Sequence, residues 1–339
     1  MTSLISVPVP GPAASPDFGP CPSPAAPNSR KLESGPSQQW APRGARHAAA
    51  QKSGSAASVA QSPRGELRLR IAQRSGRSVA SRQFHEGALR VLRPHYLDES
   101  GQVCYVMVNP GGAYLGADLF LIEVEVEDGA DLLLTTQSAT KVYRTPGSFA
   151  EQRMSVRLGE GSRLELLPDQ LIAYREASYR QNSDISLHPT SCFVMAEVIT
   201  PGWSPDGAVF RYEEVRLRNE IRVEAENGAQ LLALDNLLIR PPLNDVSGLG
   251  FMEGFSHLGS LVVVDPRVDQ GLADRLHELT LGFDAYTGVS LTATIAGTTG
   301  LVLRSLSNST EELNTLLGAC TSFLRERWYG QAPLNLRKY

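Results

Sequence analysis

A turn signal repeats along this chain in a fixed frame, and it constrains the fold more than any other feature. Asp98-Glu-Ser-Gly101 leads into an apolar run from Val103 to Val108. Glu127-Asp-Gly129 leads into Leu132 to Leu134, Gly159-Glu-Gly161 into Leu164 to Leu167, and Glu226-Asn-Gly228 into Leu231 to Leu234. The glycines are 28, 32 and 67 residues apart, and the last interval is close to two periods. A degenerate copy centred near residue 194 completes the series. Each unit reads as a β-hairpin, with an acidic turn, a glycine free to take positive φ, and an apolar strand. One hairpin is marginal in water, so the units must stack to share a core. The expected fold is mainly β, an elongated, solenoid-like stack of β-hairpin layers. Chance glycine turns in an ordinary all-β domain are the alternative.

The strand pattern starts near Gly65. Leu67, Leu69 and Ile71 alternate with Arg68 and Arg70, and Val124 and Val126 alternate with glutamates, as in strands with one wet face. Residues 64–260 are therefore assigned to the stacked hairpins. Residues 261–333 form a small α+β end. A strand at Leu261–Val264 and helical spacing at Val268, Leu272, Leu276 and Leu279 precede two strands, Val289–Ile295 and Leu301–Leu306. A final helix opens on a capping box, Ser309 and Glu312, and stops at Gly330 and Pro333.

Residues 1–63 differ from the rest. They hold 11 of the chain's 22 prolines, and their charge of about +3 leaves −7 for the remainder of a chain at −4. Too little apolar surface is present to offset the ordering entropy, so this segment is expected to be a disordered extension. Limited proteolysis should trim it and leave a stable core of about 275 residues; a protected N-terminus would refute that boundary.

Charge and composition exclude several function classes. A chain that is 20% charged and mildly acidic is no polybasic nucleic-acid binder. No apolar run approaches the roughly 18 residues of a membrane span, so neither nucleic acid nor membrane is expected as a partner, and the reading is cytoplasmic. Cys21, Cys104, Cys192 and Cys320 are far apart, and the six histidines are scattered without H-E-x-x-H. That pattern gives neither a disulfide scaffold nor a preformed transition-metal site. No G-x4-G-K-[ST] loop and no G-x-S-x-G elbow is present, so no catalytic residue and no tightly bound cofactor is assigned.

Four carboxylates lie beside glycine-rich turns or at strand ends among apolar residues: Asp118, Glu165, Asp169 and Glu197. Buried, they would need partners, for which Lys141 and Arg144 are candidates. Asn109, Gln137, Asp169 and Asn236 fall eight residues past the turn glycines. Stacking would align them as a polar column, although strands also simply end in turn residues.

Asn109, Pro110, Gly111 and Gly112 are followed by Gly116-Ala-Asp118, and then by a block containing Thr136, Gln137, Lys141 and Tyr143. In that order these residues resemble the UreD (UreH) family of urease accessory proteins over about residues 65–339. Leu167–Ile172 and Arg175–Gln181 fit the segments that follow. Ala113 departs from a third glycine common in the family, and Gly202-Trp203 stands where Gly-Arg is usual. The resemblance implies a scaffold without catalysis. It would bind UreF, and UreG through UreF, and dock them on apo-urease for nickel insertion, with a dimer of the accessory complex also allowed. It further implies a channel carrying transient Ni²⁺, for which Asp118, Asp169, Glu197 and Glu165 are the candidate carboxylates. Oxygen ligands offered singly would hold the ion weakly and let it move on. The rival reading is a stand-alone repeat β-protein that binds carbohydrate or another polymer, with Tyr105, Tyr143 and Tyr174 near the repeat period. The final helix and its tail, Trp328 through Tyr339, carry aromatics and arginines of the kind enriched at interfaces.

Overall fold

Strands wet on one face alternate in sequence, whereas strands covered on both faces run continuously apolar. This chain builds one sheet of each kind. The structure, a computed structural model, describes residues 64–334 and 336. The first strands are β1 (Gly65–Arg74), β2 (Arg77–Gly87), β3 (Arg90–Val91), β4 (Val103–Val108), β5 (Leu119–Val126) and β6 (Asp131–Thr136). Next come β7 (Thr140–Val142), β8 (Ala150–Leu158), β9 (Arg163–Leu167), β10 (Leu171–Ala173), β11 (Ser178–Leu187) and β12 (Cys192–Ile199). The last part holds β13 (Glu214–Val223), β14 (Gln230–Ile239), β15 (His257–Asp265), α1 (Gln270–Thr280), β16 (Tyr286–Ile295), β17 (Thr298–Ser307) and α2 (Thr310–Tyr329). The expectations for residues 1–63 lie outside the described residues.

The fold is mainly β, a solenoid-like stack of about four turns with two helices. One sheet runs β14-β13-β11-β8-β5-β1-β2 and the other β16-β17-β15-β12-β9-β6-β4-β3. The expected hairpin layers are corrected in one respect. β5 and β6 flank the turn at Gly129 but lie in different sheets, and each pairs in parallel with the next coil, β8 and β9. Of the four repeated turns, those at Gly129 and Gly161 join strands of opposite sheets, whereas the loop holding Gly101 joins the antiparallel pair β3 and β4 and the turn at Gly228 joins the antiparallel pair β13 and β14. A positive-φ turn reverses the chain in either geometry. Here bonds between successive turns decide the outcome: Gly129 N–H donates to the Glu160 carbonyl at 2.8 Å, and Gly159 N–H to that of Val126 at 2.9 Å. Asp128 accepts from the Glu160 N–H at 2.8 Å, which explains the acidic residue in the turn. The degenerate copy lies at 188–191, a little before the expected centre. Thr190 takes the acidic residue's place there, accepting from the Gly161 N–H at 2.9 Å.

Each coil has a third, short side. Tyr114, β7, β10 and Trp203 form a small parallel ladder at this corner. The Asn109–Gly112 and Thr136–Tyr143 blocks therefore lie on consecutive coils at one corner. Gly202 is required there: its φ is +85°, and a Cβ would fall 2.3 Å from the Ala173 carbonyl oxygen. That turn presents Trp203 outward beside Tyr174.

The main core lies between the sheets. A second core covers the outer face of β12, β15 and β17 with α1 and α2. β15 is thus buried on both sides, which accounts for its run Leu261-Val-Val-Val264. α1 is capped by Asp269, whose carboxylate accepts from the Leu272 N–H at 2.7 Å. Val268 precedes the helix rather than starting it. Ser309 caps α2 as expected and Gly330 closes it at φ 61°. Glu312 completes only half of the capping box, because its carboxylate accepts from the Asp284 N–H instead. Cys104, Cys192 and Cys320 are buried. Among the described residues no helix is long and apolar enough to cross a membrane.

Candidate functional site

Inward positions of a stacked sheet should be apolar, and most here are. β8 points Ala150, Met154, Val156 and Leu158 inward, yet Gln152 sits in the same register. β11 places Gln181 and Ser183 between Tyr179 and Ile185, and β13 places Asn219 between Leu217 and Ile221. β12 adds Glu197 between Met195 and Ile199. Three adjacent strands of one sheet and β12 of the other therefore break the apolar rule, with Gln152 and Gln181 at one register level and Ser183 and Asn219 at the next.

These side chains form a continuous row. Tyr114 O–H donates to Gln152 at 2.8 Å, and the Gln152 amide donates to Gln181 Oε1 at 3.4 Å. Tyr179 O–H also donates to Gln181, at 3.1 Å. Gln181 Nε2 donates to one Glu197 oxygen at 2.6 Å, and Asn219 Nδ2 to the other at 3.2 Å. Glu197 is half-buried and lines a cavity. Burial pushes its carboxyl above the ordinary value, and Asp235 adds to the rise, while the two amide donors and Arg304 oppose it. Burial also raises the phenols of Tyr114 and Tyr179, so both remain neutral donors.

The cavity, of about 90 Å³, opens at the corner that carries the two sequence blocks. Asn109, Gly112, Thr136, Gln137 and Lys141 line it together with Gln152, Gln181 and Glu197. Asn109 holds its own turn, accepting from the Gly111 N–H at 3.0 Å, and Gly112 N–H donates to the Asn109 carbonyl at 2.9 Å. Pro110 and Gly111 complete that turn, and Tyr143 faces outward on the far side of Val142.

The four candidate carboxylates are not brought together. Glu197 alone faces the cavity. Asp118 fastens a turn, accepting from the Leu115 N–H at 2.8 Å. Asp169 bonds Thr136, its N–H donating to the hydroxyl at 2.8 Å, and lines a groove of about 630 Å³ beneath α2. Glu165 points to the opposite side of its sheet, toward α2, where it pairs with Arg325 and accepts from Gln102 at 3.3 Å. Arg325 is the partner of this buried carboxylate in place of Lys141 or Arg144; Arg144 pairs with Glu176 instead, at 3.6 Å. The polar column is realised in part. Asn109, Gln137 and Asp169 end strands of successive coils, whereas Asn236 lies on the outer face of β14.

Two other groups of aromatics named in the sequence take definite places. Tyr105 is buried, but Tyr143, Tyr174 and Trp203 form an outward stack with ring centroids 4.8 and 4.9 Å apart. Tyr329 docks on its own domain, its ring 3.9 Å from the Arg163 guanidinium and its hydroxyl accepting from Arg267 at 2.7 Å. Sequence reasoning missed Gln152, Gln181 and Asn219, although each was readable as a polar residue in the inward register of an alternating strand.

Residues 63–338 match the family described as UreD urease accessory protein. The urease accessory protein UreD of Paenarthrobacter aurescens (strain TC1) is 84% identical over 276 residues, covering 81% of this chain and 95% of its own. That of Kocuria rhizophila is 48% identical over 335 residues, covering 84% and 92%. The one from Bacillus sp. (strain TB-90) is 34% identical over 275 residues, covering 81% and 98%.

Proposed function

Because this chain belongs to the UreD family of urease accessory proteins, we propose that it serves urease maturation by guiding Ni²⁺ through its interior. The observation that carries this reading is the interior hydrogen-bonded row from the motif-lined cavity to Glu197. Nickel is cargo here. A conduit must lower the cost of removing a dication from water without holding it. Amide and hydroxyl oxygens with a single carboxylate suit that task, whereas imidazole or thiolate clusters would retain the ion. Among the described residues no group of three or more His, Cys, Asp and Glu side chains is gathered as a metal site.

In this reading Asn109, Thr136 and Gln137 form the mouth, and Gln152 and Gln181 relay the ion to Glu197. Asp118, Asp169 and Glu165 hold turns, strand ends and α2. The protein acts as a scaffold without catalysis of its own, between apo-urease and the UreF–UreG pair. Deleting the gene and assaying urease with nickel supplied tests the role directly. Urease activity should be lost, and normal activity in the deletion strain would overturn the proposal. In that event the outward stack of Tyr143, Tyr174 and Trp203 would favour a polymer-binding role instead.

A further inference from the structure

The interior row does not stop at Glu197. β11, β13 and β14 place Ser183, Asn219 and Asp235 directly in register on one sheet. β12, β15 and β17 place Glu197, Ser260 and Arg304 in register on the other. All six side chains occupy the interior-facing register of their strands, so two polar triplets oppose each other between the sheets. They are joined at one end by the Asn219–Glu197 hydrogen bond of 3.2 Å and at the other by an ion pair between Arg304 and Asp235.

Between these joints three polar atoms have no protein partner: Ser183 Oγ, Asn219 Oδ1 and Ser260 Oγ. Each belongs to a residue no more than 2% exposed. Leaving buried oxygens unpaired is costly, so their convergence on one level marks a place for something hydrated or charged. Two carboxylates, Glu197 and Asp235, bracket that level, and the guanidinium of Arg304 is the cation on it. Arg304 has room to leave. Its register partner on β16 is Gly288, and a Cβ built there meets nothing within 4 Å.

We propose that Arg304 is a tethered counter-ion that closes the far end of the interior path to divalent cations. Paired with Asp235, it neutralises the second carboxylate and repels a dication approaching Glu197. Swung over Gly288, it exposes Asp235 and the three orphaned oxygens as a weak station for the ion. This proposal rests on the interior path and adds to it a residue that decides when the path conducts.

Equilibrium dialysis of the purified, untagged full chain against Ni²⁺ tests it. Arg304→Gln should bind Ni²⁺ about tenfold or more tightly than the wild type, because one repelling charge is gone and Asp235 is unmasked. The double variant Glu197→Gln/Arg304→Gln should return to weak binding. Should Arg304→Gln fail to fold, Arg304→Gln/Asp235→Asn keeps the net charge and leaves no charged side chain without its partner. It should still bind more tightly than wild type. Wild-type affinity in both Arg304 variants would overturn the gate. If Glu197→Gln alone still lowers urease nickel in that case, the path survives without it; if Glu197→Gln has no such effect, the path itself falls.

Discussion

Glu197→Gln is expected to lower the nickel content of urease by about tenfold or more, while raising the melting temperature of the chain that carries it. The functional loss follows from removing the one carboxylate that faces the cavity, since an amide offers a dication only a dipole. The stability gain follows from the raised carboxyl of Glu197. A folded-state value above the unfolded one means that the folded chain holds its proton longer. Stability therefore falls as pH climbs from the ordinary glutamate value of about 4.3 through the raised value, and the deficit persists at neutrality. An amide escapes that penalty. Asn219 accommodates it by turning its own amide, whose oxygen lacks a partner, toward the new N–H group. Melting curves at pH 7 should separate variant from wild type, and curves near pH 4 should converge. Full nickel loading, or a lower melting temperature at pH 7, would contradict the role given to this residue.

Arg325→Ala should cost about 3–5 kcal/mol, the range for breaking a buried ion pair by removing one partner. Arg325 is 2% exposed, pairs with Glu165, and donates to Gln102 at 2.9 Å. Its loss leaves Glu165, itself 4% exposed, with the Gln102 amide and with Arg163 at 3.9 Å. The same guanidinium reaches Asp98 at 3.4 Å and so ties the last turns of α2 to the loop before β4. Urea unfolding should show the loss with little salt dependence, because buried charges are poorly screened. A cost under about 1 kcal/mol would place the cluster in the class of solvated pairs.

Much of this architecture was legible in the sequence. Gly129 and Gly161 announced real joints, Ser309 and Gly330 the ends of α2, and the alternation around Leu67 and Val124 two real strands. The pairing was not legible. A turn glycine records that the chain reverses, but not whether the flanking strands meet each other or cross to opposite sheets. Thr190 hid one coil because a hydroxyl can do in that turn what Asp128 does in another. The site was half legible. Glu197 stood out as a carboxylate in an apolar run, and the Asn109 and Thr136 blocks mark the cavity mouth. Asp118 and Glu165 stood out for the same reason and turned out to hold a turn and a helix. Sequence proximity to glycines and leucines does not tell which face of a sheet a side chain takes; the period-2 register does.

β12 carries two messages in one strand. Its odd-numbered positions supply Glu197 and the interior core, and its even-numbered positions, Val194, Ala196 and Val198, pack beneath the helices. A frameshift of one residue in its pairing would exchange the two readouts at once, pressing a carboxylate against leucines of α2 and breaking the interior bonds from Gln181 and Asn219. Slippage is thereby penalised twice, on both sides of one ribbon. Added residues should be tolerated instead in the exposed stretch 205–209, where they alter neither message.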